Sequence, residues 1–118
     1  MQNFRDLEVW QNAHQLTLSI YELTEQFPQT EKYGLRSQMR RSSSSIPMNI
    51  AEGCGQGGDP QFGRYLNMAI GSANELDYQL ELAKDLEYIT ESVFEEIYHQ
   101  LTIVKKMLVS LRSELNNE

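Results

Sequence analysis

Apolar residues return every three or four positions through three long stretches of the chain. The first carries Val9, Ala13, Leu16, Ile20, Leu23 and Phe27. A later one carries Phe62, Leu66, Ala69, Ala73, Leu76, Leu80 and Ala83, and the last Phe94, Ile97, Leu101, Val104, Leu108, Leu111 and Leu115. Such steps put each set on one face of an α-helix and suit shallow-angle packing against other helices. No sustained two-residue alternation and no hairpin turn between β-branched runs suggests a strand. Phe27-Pro28-Gln29-Thr30 and the glycine-rich run from Gly53 to Pro60 interrupt the periodicity. There Asp59 suits an N-cap and Pro60 the first helical position, while Thr90 or Ser92 suits the cap of a fourth helix. The pattern predicts four helices, at approximately 6–27, 31–53, 59–88 and 91–116, in one all-α domain spanning 1–118. Short connections make neighbours antiparallel, which predicts an up-down-up-down four-helix bundle.

The second helix is unusual. Ser42-Ser43-Ser44-Ser45 precedes Ile46-Pro47. A proline at position 47 frees the carbonyl of Ser43 and favours a bend, and the serine hydroxyls can bond back to the preceding turn. The first helix also carries a second apolar stripe, Leu7, Trp10, His14, Leu18 and Tyr21, and the third offers Tyr65, Met68, Leu82 and Leu86. One seam fills a core; a second one points to self-association, although a compact bundle also has wide apolar faces.

Composition changes this picture little. Of 118 residues, 40% are hydrophobic and 23% charged, which places the chain among globular proteins rather than disordered ones. A single cysteine, Cys54, allows no internal disulfide. No apolar run near Met1 resembles a secretory leader, and none elsewhere would span a membrane, so a cytoplasmic address is expected. The net charge of −7 argues against a bulk nucleic-acid binder and against anionic membranes.

Candidate chemistry is sparse. A di-iron bundle needs Glu-x-x-His twice, with further Glu residues facing inward. Glu96-Ile97-Tyr98-His99 supplies one such motif, but Gln11 stands at the matching position before His14, the only other histidine. The glycine loop ends in Asp59 rather than lysine and follows no strand, so it is not a phosphate-binding loop. Cys54 has no histidine near it in sequence to activate it. Asn49 and Glu52, like Ser72 and Glu75, are three residues apart and share helix faces. If they face inward they must bond one another, and a buried polar network that sets helix register is the expectation. No catalytic residue, metal, cofactor or small-molecule substrate is expected.

Charge is unevenly spread. Lys32, Arg36 and Arg40 recur every four residues, with Arg41 adjacent, whereas Glu75 to Glu96 holds eight acids against Lys84 alone. Two readings stay open. The stripe can hold phosphates of RNA or DNA, or it can pair with the acidic helices within the chain or across an interface.

The run from Tyr33-Gly34-Leu35-Arg36 through Met39-Arg40-Arg41-Ser42 to Ile46-Pro47-Met48-Asn49-Ile50-Ala51-Glu52-Gly53 resembles the signature of a bacterial family. This is the four-helix-bundle family named after the 23S rRNA-intervening sequence protein. Phe4-Arg5-Asp6-Leu7-Glu8-Val9-Trp10 and the stretch from Tyr65-Leu66 to Ala73-Asn74-Glu75-Leu76 carry the same resemblance. It implies a cytosolic bundle that assembles as a ring, commonly a homopentamer. A related protein, the accessory variability determinant of a diversity-generating retroelement, assists a reverse transcriptase and contacts nucleic acid through a basic barrel. The present chain departs from it in being acidic. The family name describes where a gene was found, not an activity. The expectation is a non-catalytic, ring-forming scaffold or accessory protein with Leu7, Trp10, His14, Tyr21 and Tyr65 at its interface. The alternative is nucleic-acid binding through Lys32, Arg36, Arg40 and Arg41.

Overall fold

The computed structural model describes residues 3–116. Among them are four α-helices and no strand: α1 (Glu8–Thr24), α2 (Leu35–Cys54), α3 (Asp59–Asp85) and α4 (Glu91–Asn116). Single 3-10 turns precede α1 at Phe4–Asp6 and α2 at Gln29–Glu31. The helices pack in cyclic order, α1 on α2, α2 on α3, α3 on α4 and α4 on α1; among the described residues no Cα atoms of a diagonal pair come within 8 Å of each other. The apolar seams read from the sequence line the space between them. Leu16 and Ile20, Met39, Ile46 and Ile50, Leu66, Leu76 and Leu80, and Leu101 and Leu108 are fully buried, each removing apolar surface worth about 1.5–3 kcal/mol.

The helix ends differ from the periodicity, for local reasons. α1 stops at Thr24 rather than near 27, and the chain turns over the buried ring of Phe27. α2 starts at Leu35 rather than near 31, because Gly34 before it holds a non-helical backbone, φ −107° and ψ −118°, and has no side chain to cap with. Glu31 caps it instead, with Oε1 accepting the Leu35 N–H at 2.8 Å and Oε2 accepting the Tyr88 hydroxyl at 2.8 Å. α3 begins at Asp59 with Gly58 before it, one residue ahead of the expected cap. It ends at Asp85 because Glu87 takes a left-handed conformation, φ 64°. The Glu87 N–H then reaches Lys84 O and the Tyr88 N–H reaches Ala83 O, both at 2.9 Å. That pair of bonds closes a helix end in the way usually left to glycine. Thr90 caps α4 as expected, its Oγ1 accepting the Val93 N–H at 3.2 Å.

α2 runs on through Pro47 as one helix. The proline has no N–H for the Ser43 carbonyl, and α1 supplies the missing donor: the Thr17 hydroxyl lies 2.9 Å from Ser43 O and 3.0 Å from Ala13 O. The serine run divides its work. Ser43 and Ser44 donate back to the carbonyls of Arg40 and Arg41, at 3.1 and 3.3 Å. Ser42 and Ser45 instead reach across to α3.

The Glu31 cap makes stability sensitive to acid. The Leu35 N–H, then the Tyr88 hydroxyl, hold its carboxyl below the ordinary glutamate value of 4.5. A carboxyl with a lowered folded-state value contributes fully above its unfolded value, and the contribution is lost as pH falls through the folded one. Thermal melts from about pH 5 down to 3 should therefore show a steeper loss for the natural protein than for Glu31→Gln. Parallel losses would mean that the cap carries no titrating energy.

Candidate functional site

Trp10, His14, Leu18 and Tyr21 lie along one side of α1 and face Ser44, Pro47, Met48 and Ala51 of α2 across an open groove. The 3-10 turn before α1 brings in Phe4, whose ring meets Trp10 edge-on with centroids 5.0 Å apart. The Trp10 and His14 rings stack at 5.0 Å, 9° from parallel. Leu18, Tyr21 and Met48 remain 48%, 43% and 64% exposed. The walls are almost wholly carbon, so the groove can bury apolar surface of a partner but offers little to orient a polar substrate. The other two residues expected at an interface sit elsewhere. Leu7 lines a separate depression with Met107 and Leu111 of α4. Tyr65 packs at the junction of α2 and α3, where a Cβ on Gly53 would come within 2.8 Å of it.

The cationic stripe borders the groove at its Tyr21 end. Two of its members are occupied. Arg40 donates from Nε to Thr24 Oγ1 at 2.8 Å, and from Nη2 to Tyr21 O and Glu25 Oε2, both at 3.0 Å. Its guanidinium also lies 4.6 Å from the Tyr21 ring centroid. Arg36 donates to the same Glu25 oxygen at 3.2 Å. The Arg40 hydrogen bond, then the charge of Arg36, lower the Glu25 carboxyl. Arg40 thus closes the C-terminal end of α1, where carbonyls lack helical partners and a positive charge is favoured. Within the chain the acid that these arginines meet is Glu25, not the acidic stretch of α3 and α4. Lys32 and Arg41 are exposed, and among the described residues neither forms an ion pair. Tyr33, 87% exposed, lies beside them, its ring centroid 5.5 Å from Lys32 Nζ.

The polar residues between α2 and α3 form two links. Ser45 and Ser72 share a hydrogen bond of 2.8 Å, and Asn49 Nδ2 donates to the Ser45 carbonyl and hydroxyl at 2.8 and 3.0 Å. One turn away, the Ser42 hydroxyl donates to Glu75 Oε1 at 2.8 Å. Glu52, expected to be buried with them, is exposed, and Glu75 is exposed apart from this bond. Phe62 and Tyr65 crowd Gly53 at the level of Glu52, and a carboxylate without a bonded partner stays in water.

On the opposite side of the molecule α3 meets α4. Glu91, Glu95, Tyr98, Thr102, Lys105 and Val109 follow steps of four and three along α4, so they share one stripe. Lys105 bonds Asp77 of α3 at 2.8 Å, which fixes that stripe beside α3. Lys84 bonds Glu81 at 2.9 Å and lies over the Phe94 ring, which stacks on Tyr98. Elsewhere, burial pushes the Cys54 thiol up and keeps it a weak nucleophile. Among the described residues no three His, Cys, Asp or Glu side chains gather to hold a metal, and no helix is long and apolar enough to cross a membrane.

Phe4, Met48, Glu25 and Tyr33 belong to this surface and were not singled out from the sequence. Phe4 stands just outside the periodic stripe. The others are placed by how α1 and α2 register against each other, which spacing within one helix does not encode.

Residues 5–110 match the family model of the 23S rRNA-intervening sequence protein. Among solved structures, a protein of unknown function from the S23 ribosomal protein family of Bacteroides thetaiotaomicron is similar. It shares 30% identity and a TM-score of 0.82, over 88% of this chain and 97% of that one. No curated protein matches the chain.

Proposed function

The chain belongs to the 23S rRNA-intervening sequence protein family, and from that premise we propose that it is a non-catalytic helical scaffold or accessory protein that works as a homo-oligomer. In this reading the helices form an antiparallel up-down-up-down bundle, the bundles join as a ring, pentameric as the sequence resemblance implies, and the ring acts in the bacterial cytoplasm. The apolar groove between α1 and α2 carries the proposal. A stacked Trp10–His14 pair beside exposed Leu18, Tyr21 and Met48 is the kind of aromatic-rich patch that a protein partner covers. Trp10→Glu should reduce the solution mass to that of a single 13.7 kDa chain while helical circular dichroism is retained. An unchanged mass would remove Trp10 from the interface.

A second reading, an RNA- or DNA-binding accessory protein, is favoured by one observation: Tyr33 is open to stack on a base beside Lys32 and Arg41. Arg36 and Arg40 add less to it, because Glu25 already opposes them. Repetition of the edge around a ring would multiply a weak contact. Titration of labelled single-stranded RNA at two salt concentrations tests it, with a log–log slope of about −0.7 per phosphate contact; no binding at low salt rules it out.

A further inference from the structure

The cationic, apolar face of α1 and α2 and the acidic face of α3 and α4 lie on opposite sides of the same molecule. We infer that they are the two halves of one contact: the α1–α2 groove of one copy seats on the α4 stripe of the next, with Lys32 and Arg41 against Glu91 and Glu95. The inference rests on the self-association reading and specifies which surfaces meet.

Three observations carry it. The first is the cyclic packing order, which puts the α1–α2 face and the α3–α4 face back to back. The second is complementary charge: Lys32 and Arg41 are exposed on one face, and Glu91 and Glu95 on the other.

The third is axial register. Tyr88, in the turn between α3 and α4, bonds Glu31 at 2.8 Å and packs its ring 5.2 Å from Phe27. The start of α4 is therefore level with the α1–α2 connection, and the acids of one face are level with the cations of the other. Further along, Ser45 of α2 is tied to Ser72 of α3, and Asp77 of α3 to Lys105 of α4. The Ser44 and Met48 wall of the groove is accordingly level with Lys105 and Val109, and Val109 is 55% exposed. Neighbouring copies side by side, without sliding along the bundle, set charge against opposite charge and Met48 of the groove against Val109.

Pairing of two α1–α2 faces with each other does not achieve this. About a two-fold axis along the bundle, Lys32 and Arg41 would meet their own copies. About a perpendicular axis, they would lie over the partner's Trp10 end. In the first arrangement like charges are placed together across the interface, which is strongly disfavoured; in the second the cations do not reach Glu91 and Glu95. A head-to-tail contact leaves each copy with one free half until the chain of contacts closes, which is how such interfaces build rings.

Charge exchange tests the inference, with mass measured by light scattering after size exclusion and helicity by circular dichroism. Lys32→Glu with Arg41→Glu should give single chains, and so should Glu91→Lys with Glu95→Lys. The chain carrying all four changes should regain the natural mass, because every contact is again between opposite charges. If the α4 double variant keeps the natural mass, the α4 stripe is not the partner face; the inference then fails and self-association stands. If the four-fold variant stays at single-chain mass with helices intact, the two faces do not pair and the inference likewise fails. If the natural protein is itself a single chain across the concentration range, self-association fails and takes the inference with it.

Discussion

Gly53→Ala is expected to destabilise the fold by about 1–2 kcal/mol, as overpacking of about 1–3 kcal/mol outweighs the gain of up to ~1 kcal/mol from placing alanine in a helix. A Cβ at position 53 would lie 2.8 Å from Phe62 Cδ1 and 2.8 Å from Tyr65 Cβ. Phe62 can turn aside. The Tyr65 Cβ is fixed to the α3 backbone, so α2 and α3 must part for the methyl group to enter. The thermal midpoint should fall by about 4–8 °C, given an unfolding entropy of roughly 2 cal/mol/K per residue. Gly71 provides the internal comparison. It is exposed on α3 with nothing within 4 Å of its Cβ position, so Gly71→Ala should raise the midpoint through helix propensity alone. Equal melts for Gly53→Ala and the natural protein would contradict the close approach of the two helices.

The second large effect concerns one carbonyl. Thr17→Val keeps the shape of a buried side chain but removes the hydroxyl that bonds Ser43 O. The Ala13 carbonyl, also within reach of that hydroxyl, has its own helical N–H; Ser43 O does not, because Pro47 follows four residues later. Leaving a buried acceptor without a partner costs about 1–3 kcal/mol. The same change made together with Pro47→Ala should cost much less, because the backbone N–H restored by the second substitution reaches Ser43 O along the helix. Denaturant unfolding of the two single variants and the double one measures the coupling, expected at about 0.5–3 kcal/mol. Additive losses would show that the threonine does not stand in for the missing N–H.

How legible was this in the sequence? The core was, because a seam such as Leu66, Ala69, Ala73, Leu76 and Leu80 depends only on the helical period, and these residues are all buried. Family membership was readable too, from the run between Tyr33 and Gly53. The ends of helices were less so. α3 closes on Glu87 in a left-handed conformation, and a glutamate gives no warning of that. The cations were the hardest. Spacing every four residues shows that Lys32, Arg36 and Arg40 can share a side, but not that Glu25 and the last carbonyls of α1 take up two of them. Those contacts depend on how far α1 slides along α2. Glu52 shows the same limit, since helix spacing pairs it with Asn49 while the crowded crossing at Gly53 leaves it outside.

The cyclic packing order also bears on how the chain assembles itself in time. Three of its four helix contacts join elements that follow one another, so they close across short connections and belong to the fast, local class of folding events. The fourth, α1 on α4, joins residues as distant as Ser19 and Gln100, 81 positions apart and linked by a 3.2 Å side-chain bond. Closing a loop that long without the intervening hairpins would cost on the order of 4 kcal/mol in chain entropy. Once α2 and α3 are in place most of that entropy is already spent. The α1–α4 seam is then expected to shut last during folding, and backbone amides of α1 and α4 should exchange ahead of those of α2 and α3 if it is also the first to open.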